Sequence, residues 1–511
     1  MSTLNQINVT NSSGLDASKY TVWVAGFMAD ATDGTQFQIL QTSGDFSAAA
    51  VVSTAAFIPV STSLAINVPN VTNSGNNRLV FTVTSTSATP PDYPLNGYTA
   101  YPFPGVPGVA PAGPYDIFEF GPDAQYDVSA VDSFGINLSF TVSGDTLTYG
   151  VMPTITRSQI AGAFTSFMSS DPYGSNFSQL LFTSPVGTGY PQLIEGQFSA
   201  IVSPKDWLAI YPSTAGLSDY WTNTVDALFT SGNQLSFYLN GATVGTYAGS
   251  SDGTQFTLSG PDQITVVIPK SDFAGVQPFV QAVRGPNAGT QATAIATMEG
   301  GVVLSVQVLN GGSGYIAPPT ITIGSPGNGG MTATAVAVIE NGVVTQINVT
   351  NSGSQYQFSP QVSFSEQSPM VYAAFGQIEA AIFEAFSRGV VLDGVVAQGK
   401  TIATNYSSDA WTNTANWYSN HNNAYNNAPS VYDAYAKFFH TGKVNNASIF
   451  GMNLGGKFAM AYGFSLDENP NVGSSSQGIP PGSWPNSLNV PAKTNYNVDS
   501  QTVSLTIGPW K

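Results

Sequence analysis

The chain has 511 residues, which at about 150 residues per domain suggests roughly three domains. Only 8% of the residues are charged and the net charge is −17, which argues against nucleic acid or an anionic membrane surface as a partner. The absence of cysteine and the presence of only two histidines exclude disulfides, zinc-thiolate sites and three-histidine metal sites. We therefore expect no metal and no cofactor.

The N-terminus has no basic segment followed by an apolar one, so the sequence shows no signal peptide. No stretch approaches the ~20 apolar residues of a transmembrane helix, and we expect no membrane insertion. The composition lacks cysteine, is poor in Lys and is rich in Asn, Thr and Gly. It favours an extracellular or cell-surface location.

The first 150 residues are predicted to be β-structure. Short β-branched or aromatic runs, such as Tyr20-Thr-Val-Trp-Val-Ala25 and Leu79-Val-Phe-Thr-Val-Thr84, alternate with turns rich in Gly, Asn, Asp and Ser. A Pro/Gly-rich segment covers residues 90–115, and strands resume at Tyr115. Turn signals about ten residues apart favour a sandwich or barrel.

The following region combines helices and strands. Apolar residues at three- and four-residue spacing predict helices from Arg157, over 217–229, over 371–391 and from Ser430 to His440. Short β-branched runs at 234–239, 255–258 and 264–268 predict strands. A mixed α/β domain is therefore expected over 151–290 and 369–490.

An internal repeat separates the two halves of that domain. The run Glu299-Gly-Gly-Val through Gly-Ser-Gly-Tyr315 aligns with Glu340-Asn-Gly-Val through Gly-Ser-Gln-Tyr356 at a period of about 41 residues. This predicts a two-unit β insert over 291–368 with exposed tips. It resembles the Gly-Gly-Ser-Gly-Tyr repeats of phage fibres and large bacterial surface proteins, which implies adhesion, assembly or simple spacing.

Two carboxylates are candidates for acid–base chemistry. Glu119 lies between two aromatic residues in Ile117-Phe-Glu-Phe120, where desolvation would raise the pKa of its carboxyl and suit it to protonate a leaving oxygen. Asp132 follows 13 residues later, and the two could flank a glycosidic bond. The alternative is that Glu119 simply faces solvent from a half-buried strand.

Several motifs together resemble glycoside hydrolase family 64, the β-1,3-glucanases related to thaumatin-like proteins. The resemblance depends on short segments that occur in the family's order and cover nearly the whole chain outside about 290–368. They are Ile7-Asn-Val-Thr-Asn-Ser-Ser-Gly14 with the strand at Tyr20, Tyr115-Asp-Ile-Phe-Glu-Phe120, Val131-Asp-Ser-Phe-Gly135, Tyr220-Trp-Thr-Asn-Thr-Val-Asp-Ala-Leu-Phe229, Ala385-Phe-Ser-Arg-Gly389, Tyr432-Asp-Ala-Tyr-Ala-Lys-Phe-Phe-His440 and Ala461-Tyr-Gly-Phe-Ser-Leu-Asp-Glu468.

The resemblance implies a thaumatin-like β-sandwich and a mixed α/β domain that flank an open groove for β-1,3-glucan or a related polysaccharide. It also implies inverting endo-hydrolysis, with Glu119 as general acid and Asp132 as general base. The family's paired Asp near the C-terminus appears here as Asp467-Glu468. The chain departs from the family where Gly121-Pro122 follows the Phe-Glu-Phe motif in place of Thr.

Three aromatic residues are candidates for stacking on sugar faces, with core packing as the alternative. They are Trp411, Trp417 and Tyr418, and we group them with Asp467 and Glu468 as possible substrate-binding residues.

The expected architecture is mainly β with an α/β part. Residues 1–150 with 491–511 form the sandwich, 151–290 with 369–490 form the α/β domain, and 291–368 form the insert. The rival function is a structural or adhesive protein on the same scaffold, because a surface with so few charges favours lateral association. Its expected contact surfaces are the insert and the first strand near Ile7.

Overall fold

The chain is mainly β, as the sequence predicts, and it folds into several separate sheets with few helices. The computed structural model describes residues 3–30, 36–69, 74–95, 114–120, 126–144, 147–182, 194–196, 198, 200–239, 245–261, 264–281, 291–327, 329–340, 342–365, 369–395, 410–411, 415–419, 430–454, 458–459, 462–463 and 500–511. Contacts divide the chain into two compact units: unit 1 is Met1–Asp219, Tyr432–Ile479 and Asn486–Lys511, and unit 2 is Tyr220–Val431 and Pro480–Pro485.

The elements are numbered in chain order. Up to Asp219 they are β1 (Thr3–Asn11), β2 (Tyr20–Asp30), β3 (Gln36–Ile39), β4 (Ala50–Val51), β5 (Thr54–Ala55), β6 (Ile58–Pro59), β7 (Ser63–Asn67), β8 (Ser74–Ser85), β9 (Tyr93–Pro94), β10 (Tyr115–Phe120), β11 (Tyr126–Ser129), β12 (Ser133–Phe134), β13 (Leu138–Val142), β14 (Tyr149–Gly150), α1 (Arg157–Ser170), β15 (Leu181–Phe182), β16 (Ala200–Val202) and α2 (Pro204–Ile210).

From Tyr220 to Val431 they are α3 (Thr222–Leu228), β17 (Gln234–Leu239), β18 (Gly245–Ser251), β19 (Gln255–Ser259), β20 (Thr265–Pro269), α4 (Gln277–Val280), β21 (Thr293–Glu299), β22 (Val302–Asn310), β23 (Ile321–Ile323), β24 (Thr334–Glu340), β25 (Val343–Asn351), β26 (Val362–Phe364) and α5 (Pro369–Arg388). The remainder are α6 (Ala434–Thr441), β27 (Lys443–Val444), β28 (Ala447–Ser448), β29 (Met452–Leu454), β30 (Phe458–Ala459), β31 (Tyr462–Gly463) and β32 (Ser500–Ile507). No helix in these described ranges has the length and apolarity that a membrane crossing requires.

Unit 1 is built on two sheets. One has the strand order β14-β13-β32-β1-β7, and the other has the order β31-β11-β10-β8-β2-β3-β4, with β6 beside β2. The sheets face each other through aromatic side chains: the ring of Phe118 on β10 meets that of Phe140 on β13 at 5.2 Å between centroids. Alternation along β32 buries Val503, Leu505 and Ile507 on one face, and the apolar residues of β13 are buried beside them.

The chain ends meet inside the first of these sheets. Strand β32 pairs in parallel with β1 and antiparallel with β13, so the last strand belongs with the first 150 residues, as predicted. Strand β1 also pairs with β7 on its other side, with Ile7 opposite Ile66. The first strand near Ile7 is one of the predicted contact surfaces for assembly, and since both of its edges are already hydrogen-bonded, neither edge is open to add a strand.

The boundary between the units differs from the predicted one at residue 150. Helix α1 forms as predicted, but it packs within unit 1, where the rings of Phe164 and Phe438 lie 5.0 Å apart. Arg157 at its first turn is buried between the rings of Phe198 and Trp510. These contacts place α1 and α6 in the same unit as the β-sheets.

Unit 2 contains the predicted α/β elements. Strands β17 to β20 form one antiparallel sheet, and α5 packs against β20. The helix predicted over 217–229 is shorter in the structure, which has turns before α3, although Trp221, Val225 and Leu228 are buried as the periodicity indicates.

The described residues of the insert, 291–327, 329–340 and 342–365, form a pseudo-symmetric module. Hairpins β21–β22 and β24–β25 have the same register and the same bulges, 41 residues apart. Each of the two repeats in the module donates backbone hydrogen bonds to the other repeat at equivalent positions, as in an isologous interface. These bonds run from Val303 to Ser352 (2.9 Å), Val344 to Gly311 (2.9 Å), Tyr315 to Gly342 (3.0 Å) and Tyr356 to Gly301 (3.0 Å).

The module has its own hydrophobic core, which also includes Val267 of β20. The backbone N–H of Val267 donates to the carbonyl of Ile316 at 2.7 Å and attaches the module to the rest of unit 2. Within the described residues its strands pair only with one another. The prediction of a β insert with two repeats is thus supported by the strand pairing within the insert and by the hydrophobic core that its residues form.

Two buried tyrosines provide a test of this symmetry. The Tyr315 hydroxyl accepts from the N–H of Ala292 at 2.7 Å, and the Tyr356 hydroxyl accepts from the N–H of Ala333 at 2.8 Å. A buried N–H without a partner costs about 1–3 kcal/mol. We expect Tyr356→Phe to lower hydrogen-exchange protection of the Ala333 amide and to leave that of Ala292 unchanged. Tyr315→Phe should do the reverse, and loss of protection at both amides in either variant would contradict the independent pairing.

Candidate active site

A row of charged side chains crosses three neighbouring strands of unit 1. Arg78 on β8 lies opposite Glu119 on β10, and Glu119 lies opposite Asp127 on β11. Cross-strand partners share one face of a sheet, so the three side chains are neighbours. The Arg78 Nε is 2.6 Å from the Glu119 Oε1, and the Glu119 side chain is 23% exposed. Glu119 therefore has a cation beside it and retains access to solvent.

The prediction that the flanking aromatic residues desolvate Glu119 is wrong. Its neighbours Phe118 and Phe120 are buried on the opposite face of β10, because side chains alternate along a strand. The two rings stack on each other at 6.4 Å between centroids, and Phe118 also stacks on Tyr126 at 6.5 Å. These aromatic rings do not surround the Glu119 carboxyl, and the group that does face it is the Arg78 guanidinium.

Asp127 is the buried acid of this row, and sequence reasoning missed it. Its side chain is 4% exposed, and its Oδ2 has no hydrogen-bond partner among the described residues. Burial raises the pKa of the Asp127 carboxyl well above its usual range, and the Glu119 charge raises it further, while Arg78 opposes both. The buried position of Asp127 therefore favours the protonated form of its carboxyl. The sequence feature that could have identified Asp127 is its position inside the short apolar strand that follows the Phe-Glu-Phe motif.

Asp132 is fixed in place by the segment that follows it. The Asp116 carboxylate accepts from the N–H groups of Gly135 and Ile136, both at 3.2 Å, and holds this segment against β10. Gly135 is required there because a Cβ would lie 2.1 Å from the Tyr115 carbonyl oxygen. The glycine of the Val-Asp-Ser-Phe-Gly motif is thus explained by the close approach of two backbones.

A second charged group forms around Asp132. Strand β12 pairs with β16, and the Ser203 N–H donates to the Asp132 carbonyl at 2.9 Å, which brings Asp132 to the start of α2. The Lys205 ammonium there contacts the Asp132 carboxylate and also lies 3.1 Å from the Asp206 Oδ1. Burial and the charge of Asp132 raise the pKa of Asp206 to about 7, against the opposing effect of Lys205. Neither Lys205 nor Asp206 was predicted.

Arg78 and Tyr93 connect the two groups. Burial lowers the pKa of the Arg78 guanidinium, but the charges of Glu119, Tyr93 and Asp132 together raise it above its ordinary value. Burial raises the pKa of Tyr93 to about 12, with Arg78 opposing and Asp132 and Glu119 adding to the rise. Glu119 and Asp132 therefore both lie close enough to Arg78 and Tyr93 for their charges to change the pKa values of these two side chains.

The predicted sugar-stacking residues lie elsewhere. Trp411, Trp417 and Tyr418 are at most 5% exposed, in the interior of unit 2. The Trp417 Nε1 donates to the Trp411 carbonyl at 2.7 Å, and the Arg388 guanidinium lies 3.9 Å from the centre of a Trp417 ring. The stacking role is therefore wrong for these three residues, and core packing accounts for them. Asp467 and Glu468 lie outside the described residues.

This arrangement brings together the carboxylates and cations that acid–base chemistry uses. Within the ranges that the structure describes, no group of three or more His, Asp or Glu side chains is placed to hold a metal ion. Glu119 and Asp132 are partly exposed, each has one cation beside it, and a buried acid lies next to Glu119.

No protein-family model matches the chain, and no curated protein matches it in sequence.

The raised pKa of Asp127 predicts how stability depends on pH. The folded state binds a proton that the unfolded chain has released, so stability falls as the pH rises above about 4, the ordinary carboxyl range. Asp127→Asn removes this loss, and we expect it to be at least about 1 kcal/mol more stable than the wild type at pH 8. At pH 4 the two proteins should differ little. The measurement is urea unfolding at both pH values.

Asp219→Asn is the matched control, because Asp219 is an exposed aspartate of the same unit. It should change stability by less than about 0.5 kcal/mol at either pH. A loss of stability in Asp127→Asn that is equal at pH 4 and pH 8 would contradict a buried, protonated Asp127.

Proposed function

We propose that the chain is an inverting glycoside hydrolase that cleaves β-1,3-glucan internally, outside the cell or at its surface. The observation that carries this proposal is the pair of partly exposed carboxylates, Glu119 beside Arg78 and Asp132 beside Lys205, whose charges both act on the Arg78 guanidinium. The motif order that resembles family 64 of the glycoside hydrolases supports the same pair and a thaumatin-like form for unit 1.

The proposed roles are those that the resemblance to family 64 implies for the two carboxylates. Glu119 protonates the glycosidic oxygen, and the carboxylate that remains is stabilised by Arg78, 2.6 Å away. Asp132 removes a proton from a water that attacks the anomeric carbon from the opposite face. The Lys205 ammonium contacts the Asp132 carboxylate. Room for this water requires about 6.5–9.5 Å between the two carboxyls.

Substitution of either carboxylate tests the assignment. We expect Glu119→Gln and Asp132→Asn each to lower kcat for release of soluble sugar from laminarin or curdlan by about 10²–10⁴-fold, because each removes a proton-transfer group. Glu299→Gln is the control, since Glu299 is an exposed carboxylate of the module. Hydrolysis that survives Glu119→Gln would remove Glu119 from the role of general acid.

A second function, assembly or adhesion through the module, is supported by its surface. Of the nine large hydrophobic side chains exposed in the described parts of the chain, six lie on the module: Ile295, Leu304, Leu309, Met331, Val336 and Phe358. Clustered exposed apolar side chains mark interaction surfaces. The positions of Leu304 and Leu309 are occupied by Thr345 and Thr350 in the second repeat.

The repeat itself supplies the substitution that tests assembly. We expect the wild type to form oligomers or filaments in sedimentation velocity, and Leu304→Thr with Leu309→Thr to shift it toward the monomer, because apolar area is lost from the contact. Val51→Thr is the control, since Val51 is 75% exposed in unit 1. A wild type that stays monomeric at high concentration would contradict the assembly function and leave the hydrolase proposal unaffected.

A further inference from the structure

A groove runs along the solvent side of α1 in unit 1. Its volume is about 510 Å³, which lies within the range of small-ligand sites. One wall is the exposed face of α1, a helix that buries Ile160, Phe164 and Met168 on its other face. The second wall is the end of α6 with the β27–β28 hairpin. Among the described residues that line the groove, none belongs to the candidate active site.

The groove presents neutral hydrogen-bonding groups beside an aromatic ring. Gln159, Ser166 and Asn445 are exposed along it and offer amide and hydroxyl groups. The half-buried ring of Phe167 lies among them and is held edge-on against Phe438, at 5.5 Å between centroids. This combination suits a sugar, because sugar hydroxyls bond to amides and hydroxyls while the C–H face of the sugar packs on an aromatic ring.

The charges around the groove favour an uncharged ligand. No Asp or Glu occurs among its described lining residues, and Lys443 is the one cation there. A chain with a net charge of −17 repels a polyanion, and a groove without a carboxylate has no group to pair with a cationic ligand. An uncharged chain of sugars meets neither obstacle.

Both walls of the groove are rigid elements. The turn between β27 and β28 has Asn445 and Asn446 in the left-handed region, with φ of 48° and 66°, as in a tight two-residue hairpin turn. The opposite wall is a regular helix of 14 residues that begins after the N-cap Thr156. The groove is therefore formed without a ligand, and a preformed site loses less conformational freedom on binding.

Gly162 lies within α1 at the lining of the groove. A Cβ at this position would meet nothing within 4 Å, so packing does not require glycine there. Glycine inside a helix is less stable than alanine, and the helix gives up this stability where the groove passes. A large side chain at position 162 would occupy the groove without displacing the core.

We propose that this groove is a second binding site for an uncharged polysaccharide strand. The identity of the strand as β-1,3-glucan rests on the proposed function, whereas the groove depends only on its own lining residues. Such a site holds the polymer on unit 1 while the bond is cleaved at Glu119 and Asp132. A second point of attachment raises the effective concentration of the polymer at the enzyme.

The test is adsorption of the full chain to insoluble curdlan, an uncharged β-1,3-glucan, with Glu119→Gln present in every variant so that the polymer is not cleaved. We expect Gly162→Phe to weaken adsorption at least about tenfold, because its ring fills the groove. Thr165→Phe is the matched control, since Thr165 is an exposed residue of the same helix outside the described lining.

Two milder variants keep the test independent of the folding of Gly162→Phe. Ser166→Ala removes a hydroxyl from the helix wall, and Asn445→Gly removes an amide while glycine retains the left-handed turn. Each should weaken adsorption about three- to tenfold, the value of one hydrogen bond. Thermal unfolding of each variant checks that the fold is kept.

Competition identifies the class of ligand. Laminarihexaose should release the adsorbed protein, and trigalacturonate should not, because the ligand is uncharged. Failure of the parent Glu119→Gln chain to adsorb, equal adsorption of Gly162→Phe and Thr165→Phe, or release by trigalacturonate alone would overturn the proposal. If the wild type releases no sugar from laminarin, the proposed function fails, and adsorption still decides whether the groove binds glucan.

Discussion

The candidate site depends on the charge of the Arg78 guanidinium, which is paired with Glu119. Its Nε lies 2.6 Å from the Glu119 Oε1, and its charge lowers the pKa of Asp127. The charge of Asp132 in turn raises the pKa of the guanidinium. Without a cation at this position, acids on adjacent strands would repel one another in a partly buried place. The chain has only 13 Lys and Arg residues against 30 Asp and Glu residues, so few cations are available to balance the charge of a cluster of acids. Lys205 has the same function on the Asp132 side.

Strand alternation allows this charged row to exist inside a sheet. On β10 one face carries Phe118 and Phe120 into the aromatic core, and the other carries Glu119 toward Arg78. A shift of register by one residue would exchange the two faces and bury the charge. The segment after Asp132 is fixed to the same strand by Asp116 and by the close approach at Gly135. The positions of both carboxylates therefore follow from the packing of β10.

The sequence predicted what depends on local pattern and on short motifs. The repeat, the helix from Arg157 and the mainly β character belong to this class. Arg78 and Asp206 were missed because their partnership with Glu119 and Asp132 depends on strand register and on a helix start about 70 residues away in sequence. Trp411 and Trp417 were misjudged since periodicity cannot separate a buried aromatic from an exposed one. The paired edges of β1 were equally hidden, because β32 comes from the other end of the chain.

The most direct test of the central claim is the anomeric form of the first sugar released, followed by proton NMR from the start of laminarin hydrolysis. An inverting reaction with Glu119 as acid and Asp132 as base converts the β-linkage to an α-anomer at the new reducing end. The account predicts that the α-anomer appears first and the β-anomer grows only as the sugar mutarotates. A β-anomer as the first product, or no released sugar, would contradict it.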